Sequence, residues 1–160
     1  MTPDLIATAD PAFAEAALAE IAAVNGRILQ ELAPGIWSVQ LRDDFFALAE
    51  QWRQQPPIFV RHICPVQTML PLAEGVDELV ETAVTTFTHL LEPAWPFSVQ
   101  TRVLGNLTIK PFDINKPLSD QLADASGAPL DVREPFQILS VVLTDEEAYL
   151  GLSLAANNLS

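Results

Sequence analysis

Phe97-Ser98-Val99-Gln100-Thr101-Arg102, Gln137-Ile138-Leu139-Ser140-Val141-Val142-Leu143 and Ala148-Tyr149-Leu150-Gly151-Leu152-Ser153 are the runs whose reading decides the fold. Each is short and rich in β-branched or large apolar residues, and Thr144-Asp145-Glu146-Glu147 makes a polar turn between the last two. Runs of this kind read as strands, here of one small sheet. Between them lies Lys110-Pro111-Phe112-Asp113-Ile114-Asn115-Lys116-Pro117, read as a loop. Pro117-Leu118-Ser119 then opens a short helix over Asp120–Ala125, stopped at Ser126-Gly127. From Phe97 to Leu118 the basic residues Arg102, Lys110 and Lys116 face one acid, Asp113. Any contact with an anionic partner is expected on this island.

Working outward, Val76 to Leu91 carries Val76, Leu79, Val80, Ala83, Val84, Phe87 and Leu91 at helical spacing. Its threonines are mediocre helix formers, so packing must hold it. Pro65 to Gly75 reads as a hinge. Ahead of it, Leu5–Thr8 reads as a buried strand, and Asp10-Pro11 as a helix start with Asp as cap and Pro at the first position. That helix is expected over Ala12–Val24 and to end at Asn25-Gly26. Arg27–Leu32 and Ile36–Leu41 flank Ala33-Pro34-Gly35 as a hairpin. Asp43-Asp44 caps a second helix, Phe45 to about Arg53, and Ile58–Cys64 follows as a strand after Pro56-Pro57. The order strand, helix, strand, strand, helix, strand predicts a ferredoxin-like βαββαβ unit over residues 1–70, followed by a second α/β unit over 71–160.

The chain has 160 residues, 49% of them hydrophobic, enough for a real core. Its formal charge of −13 repels nucleic acid and anionic membranes taken whole, so RNA binding must rest on a local patch. The one cysteine, Cys64, allows no internal disulfide and too few sulfur ligands for a zinc ribbon. The N-terminus has no basic leader, and no apolar run approaches the length of a bilayer span. These features predict a cytoplasmic protein without a membrane partner.

Candidate chemistry is sparse. His62 and Cys64 stand two apart on a strand and face one way, but the other histidine, His89, lies in an unrelated helical segment; a partly buried sheet position is the expected role. The acids Asp43-Asp44 and Asp145-Glu146-Glu147 suit a helix cap and a hairpin tip better than paired catalytic carboxylates. No Gly-x-Gly-x-x-Gly phosphate cradle occurs. No catalytic residue is assigned and no metal site is expected. Arg102, Asn106, Lys110, Asn115 and Lys116 are the candidate RNA contacts, to phosphates and base edges of an unpaired end, and Arg61 joins them if the two units share a groove. Phe112 reads either as a base-stacking ring or as a core plug.

The helix, then Phe97–Arg102, then a short helix, then Leu130-Asp131-Val132-Arg133-Glu134-Pro135, then a strand and Glu147-Ala148-Tyr149-Leu150, resembles a THUMP domain. That is the RNA-binding module of tRNA thiouridine synthases, pseudouridine synthases and several RNA methyltransferases, commonly preceded by a ferredoxin-like domain. The tail Leu152–Ser160 is similar to the linker ahead of the Rossmann-type catalytic domain in ribose 2′-O-methyltransferases related to the large-subunit rRNA enzyme. The resemblance implies a substrate-recognition half that binds structured RNA, rRNA or tRNA, in rRNA processing or another RNA modification. It implies a catalytic methyltransferase domain outside this chain, in cis or in trans, that uses S-adenosylmethionine; no cofactor is expected in the chain itself. This strand ends in a single Arg102 rather than a basic cluster. The acidic balance supports a different reading, a protein-interaction or dimerisation module without RNA binding.

Overall fold

Strand β1 (Leu5–Ala9) is the centre of the first sheet, and almost all of it is buried. Strands β3 (Ile36–Gln40) and β4 (Val60–Pro65) pair with it antiparallel, and β2 (Arg27–Ala33) pairs with the outer side of β3, giving the order β2-β3-β1-β4. Helix α1 (Ala14–Ala23) joins β1 to β2 and α2 (Phe45–Gln54) joins β3 to β4. Because side chains alternate along a strand, Leu5, Ala7, Trp37, Val39 and Ile63 share one face. They form a single core with Ala17 and Ile21 of α1 and with Phe45, Leu48, Ala49 and Trp52 of α2. Burying each large side chain there stabilises the unit by about 1.5–3 kcal/mol. This is the expected ferredoxin-like arrangement, with both helices on one face.

Local chemistry sets its corners. Asp10 accepts a hydrogen bond from Ala12 N–H at 2.9 Å, and Pro11–Phe13 makes a 3-10 turn before α1 begins. The β2–β3 turn is Pro34-Gly35, with Gly35 at φ +78° and a Cβ there falling 2.3 Å from the Ala9 carbonyl oxygen. Only glycine suits that position. Strand β4 starts at Val60, not at Ile58 as the apolar run suggested, because the Glu20 carboxylate captures the N–H groups of Ile58 (2.6 Å), Phe59 (2.9 Å) and Val60 (2.8 Å). Ile58 is left exposed.

The structure, a computed structural model, describes residues 1–157 and 159. It divides into two units, one running from Met1 to Val66 and joined by the tail from Ala156, the other Gln67–Ala155. The break thus falls four residues before the expected one. The segment read as a hinge contains a strand, β5 (Thr68–Pro71), which pairs antiparallel with β8 (Glu147–Leu154). Leu152–Leu154, read as linker, are the end of β8 and pair with Leu139–Gln137; of the remaining tail, Ala155–Asn157 forms a 3-10 turn, and Asn158 and Ser160 lie outside the described residues.

In the second unit the sheet order is β5-β8-β7-β6, with β7 at Gln137–Leu143 and β6 at Phe97–Val103. Strands β7 and β8 form the expected hairpin, and β6 lies parallel to β7. A parallel pair requires a crossover. Helix α4 (Pro111–Ser126) supplies it, 16 residues long where a loop and a short helix were expected. Pro117 lies inside this helix with no N–H for the carbonyl four residues back. Ile114, Leu118 and Leu122 recur at helical spacing and are fully buried, and that burial carries the helix across the proline. Helix α3 (Val76–Phe87) ends earlier than the apolar stripe, at a turn where Thr88 Oγ1 donates to the Val84 carbonyl at 2.6 Å, although Leu91 still reaches the core. Both helices pack on one face of the sheet, over Phe97, Val99, Leu139, Val141, Leu143, Ala148 and Leu150. The buried Gln137 amide fixes the loop ahead of β6, donating to the carbonyls of Glu92 (2.8 Å) and Trp95 (3.0 Å) and accepting from Glu92 N–H (3.0 Å). No helix among the described residues is long and apolar enough to cross a membrane.

Candidate nucleic-acid interface

Helix α4 begins where Lys110 takes an extended conformation and the Asp113 carboxylate accepts its N–H at 2.9 Å, while Asp113 N–H donates to the Lys110 carbonyl at 2.9 Å. Proline at the first helical position costs nothing, since that N–H has no partner in any helix. The first two turns therefore form a rigid ridge. Phe112 stands on it with 68% of its surface exposed. Asn115 and Lys116 follow at i+3 and i+4, the positions that neighbour Phe112 on a helix surface. Asn115 is tied down: its Oδ1 accepts from Thr101 Oγ1 on β6 at 2.6 Å. Lys116 Nζ lies 2.8 Å from Asp120 Oδ2, with both side chains more than half exposed. Such a surface pair is worth about 0–1 kcal/mol, so an incoming phosphate can displace the carboxylate. Lys110 is exposed at the helix start.

The remaining predicted contacts are distributed less simply. Thr101 reaches α4, so Arg102, the next residue on β6, points to the opposite face of the sheet. It is half-buried at an edge strand rather than a member of the ridge. Asn106 is exposed in the loop between β6 and α4, its N–H donating to Asp145 Oδ1 at 3.3 Å. A Cβ at the neighbouring Gly105 (φ +77°) would fall 2.7 Å from the same oxygen, so this loop is held close against the β7–β8 turn. Arg61 is exposed on β4 of the first unit and shares no element with the others. The structure thus brings Lys110, Asn115 and Lys116 onto one helix, sets Arg102 and Asn106 on adjoining but differently facing elements, and leaves Arg61 in the other unit.

Other candidates resolve into structural roles or into different surfaces. Asp44 caps α2, accepting from Ala47 N–H at 2.8 Å, as expected. Thr144 Oγ1 accepts from Glu146 and Glu147 N–H at 3.2 and 2.9 Å and closes the acidic hairpin tip. His62 and Cys64 lie on β4 opposite Thr8 and Ile6, whereas His89 belongs to the second unit. No group of three His, Cys, Asp or Glu side chains among the described residues could hold a metal ion. Between α3 and α4, Val76, Asp77, Val80, Glu81, Asp113, Pro117 and Gln121 line a cavity of about 470 Å³.

Several solved structures share this architecture. TrmN from Thermus thermophilus superposes with a TM-score of 0.71 at 20% identity, over 98% of this chain and 46% of that one. A 4-thiouridine synthetase, in a complex with RNA and bound ATP, gives 0.60 at 16% identity, over 96% and 41%. A predicted N6-adenine-specific DNA methylase from Listeria monocytogenes gives 0.65 at 17%, over 95% and 40%. The fold is a ferredoxin-like unit followed by a THUMP-type α/β unit. The chain spans less than half the length of each of these three structures. No protein-family model matches the sequence, and no curated protein does.

Two features of the site were missed in the sequence. One is that Phe112 stands on a helix: Lys110-Pro111 followed by Asp113 is a helix start, obscured by the second proline at 117. The other is the Thr101–Asn115 bond, which joins residues from separate elements and leaves no local signal.

Proposed function

We propose that this chain is the RNA-recognition module of an RNA-modifying enzyme. The observation that carries the reading is the two-unit fold itself, which a 4-thiouridine synthetase solved with RNA also has; Lys110 and Lys116 on α4, exposed beside Asp113 and Asp120, are the cations that would meet phosphates here. In this reading structured RNA, tRNA or rRNA, lies along α4 and the outer edge of β6. The reacting nucleotide is handed to a methyltransferase domain outside this chain, in the same polypeptide or a separate one, with S-adenosylmethionine as methyl donor there. Holding a substrate on a rigid module raises its effective concentration at the reacting centre. The finer assignment, to a ribose 2′-O-methyltransferase, rests on the tail alone, and of that tail only the part after β8 can serve as linker.

Binding of a tRNA transcript measured across a salt series tests this. Lys110→Glu with Lys116→Glu is expected to weaken binding roughly tenfold or more and to reduce the slope of log K against log salt by about two, one for each lost phosphate contact. Absence of wild-type binding at about 50 mM salt, where phosphate contacts are strongest, would overturn the assignment. A second reading, a docking module for a basic protein segment, is favoured by Asp77, Glu81 and Asp113 around the α3–α4 cavity. It would be selected by a chain that ignores RNA but binds a lysine-rich peptide.

A further inference from the structure

We propose that Phe112 is a stacking platform for an unpaired nucleobase, so that the α4 ridge selects single-stranded over double-stranded RNA. The inference rests on the RNA reading above and adds to it a residue and a substrate class. Among the large apolar side chains of α4, Ile114, Leu118 and Leu122 are fully buried, while Phe112 is 68% exposed. It is the second residue of a 16-residue helix, between Lys110 and Lys116 in the sequence. An exposed aromatic side chain one helical turn from Lys116 suits a single strand: a phosphate meets the ammonium group in exchange for Asp120 and a base lies on the ring. A base locked in a duplex has its faces covered by its neighbours and cannot do so. Asn115, one turn on, is fixed by Thr101 through its Oδ1, which leaves its amide N–H groups as donors for the edge of a splayed base. The platform is rigid because the Asp113 cap and the buried face of α4 fix it from both sides, so little ordering is required when a base arrives.

The test compares binding of a fluorescent oligoadenylate single strand with the same strand annealed to its complement, using the full chain. Phe112→Ala is expected to weaken single-strand binding about tenfold, within the range for one lost base stack, and to leave duplex binding unchanged. Phe112→Leu, which keeps an apolar side chain but no ring, should weaken it as alanine does. Phe112→Trp should retain affinity, and the emission of the added indole should be quenched by the single strand alone. Equal single-strand affinity of wild type and Phe112→Ala, or an equal loss on single strand and duplex, would overturn the platform while leaving the RNA reading standing. A wild-type chain that binds neither probe but binds the tRNA transcript would overturn the platform alone; one that binds none of the three at about 50 mM salt would overturn both.

Discussion

Tyr149 is the chain's one tyrosine, and it lies almost fully buried on β8. Burial raises the pKa of its phenol above the usual value, and the nearby Glu147 and Glu146 carboxylates raise it further, because both disfavour a second negative charge. The unfolded chain releases that proton near pH 10 and the folded chain only at higher pH. The contribution to stability is therefore fully present below about pH 10 and is lost as pH rises through the folded-state pKa. Denaturant midpoints are expected to fall more steeply above about pH 10 for wild type than for Tyr149→Phe, and the phenolate absorbance should appear only above the ordinary tyrosine range. A phenol that titrates near 10 in the intact fold would contradict this. Residue-scale detail of this kind was only partly legible in the sequence. Alternation told that Thr101 and Arg102 face opposite ways, but not which of them meets α4. Arg102 and Lys116, grouped in one basic island by sequence, therefore stand on differently facing elements.

Among the elements, α4 teaches most. Its sequence contains two prolines, and the second was read as a boundary, since proline in a helix interior removes a hydrogen bond and costs about 3 kcal/mol or more. The periodic Ile114, Leu118 and Leu122 spanned the boundary and told otherwise: tertiary burial outweighed local propensity. Strand β5 was missed for the opposite reason. Thr68–Pro71 is short, ends in proline, and is a strand only because β8 offers it an edge. The hairpin β7–β8, the β2–β3 turn and the Asp44 cap were legible because each is local chemistry of a few residues. At this scale Pro117→Ala is expected to stabilise the second unit by about 1–2 kcal/mol, less than the full proline penalty because the native helix has already adapted and proline also stiffens the unfolded chain. Calorimetry would show the rise; a lower melting temperature would mean that the proline ring packs better in the α3–α4 cavity than the argument allows.

For the molecule as a whole, the decisive quantity is the formal charge of −13 set against a few exposed cations. Charge summed over the chain opposes RNA at long range, so in the proposed reading affinity would come from short-range contacts and would fall with salt only in proportion to the few phosphates engaged. The mixed α/β class was legible, because strand and helix order repeats a familiar supersecondary plan in the first half and turn chemistry separates the runs in the second. Each unit owns a separate core. Residues 67–155 made alone are accordingly expected to unfold in one cooperative transition; a fragment that binds hydrophobic dye and melts without a transition would show that its core does not suffice.

The Gln67 side chain donates to the Leu152 carbonyl at 2.9 Å and accepts from Leu152 N–H at 3.0 Å, stitching the point where the polypeptide enters the second sheet to the strand by which it leaves. A cassette whose two ends emerge side by side needs only one excision and one joining to be carried into a surface turn of an unrelated host. Neither end has to thread through the host's interior, and the host's own strand order is left as it was.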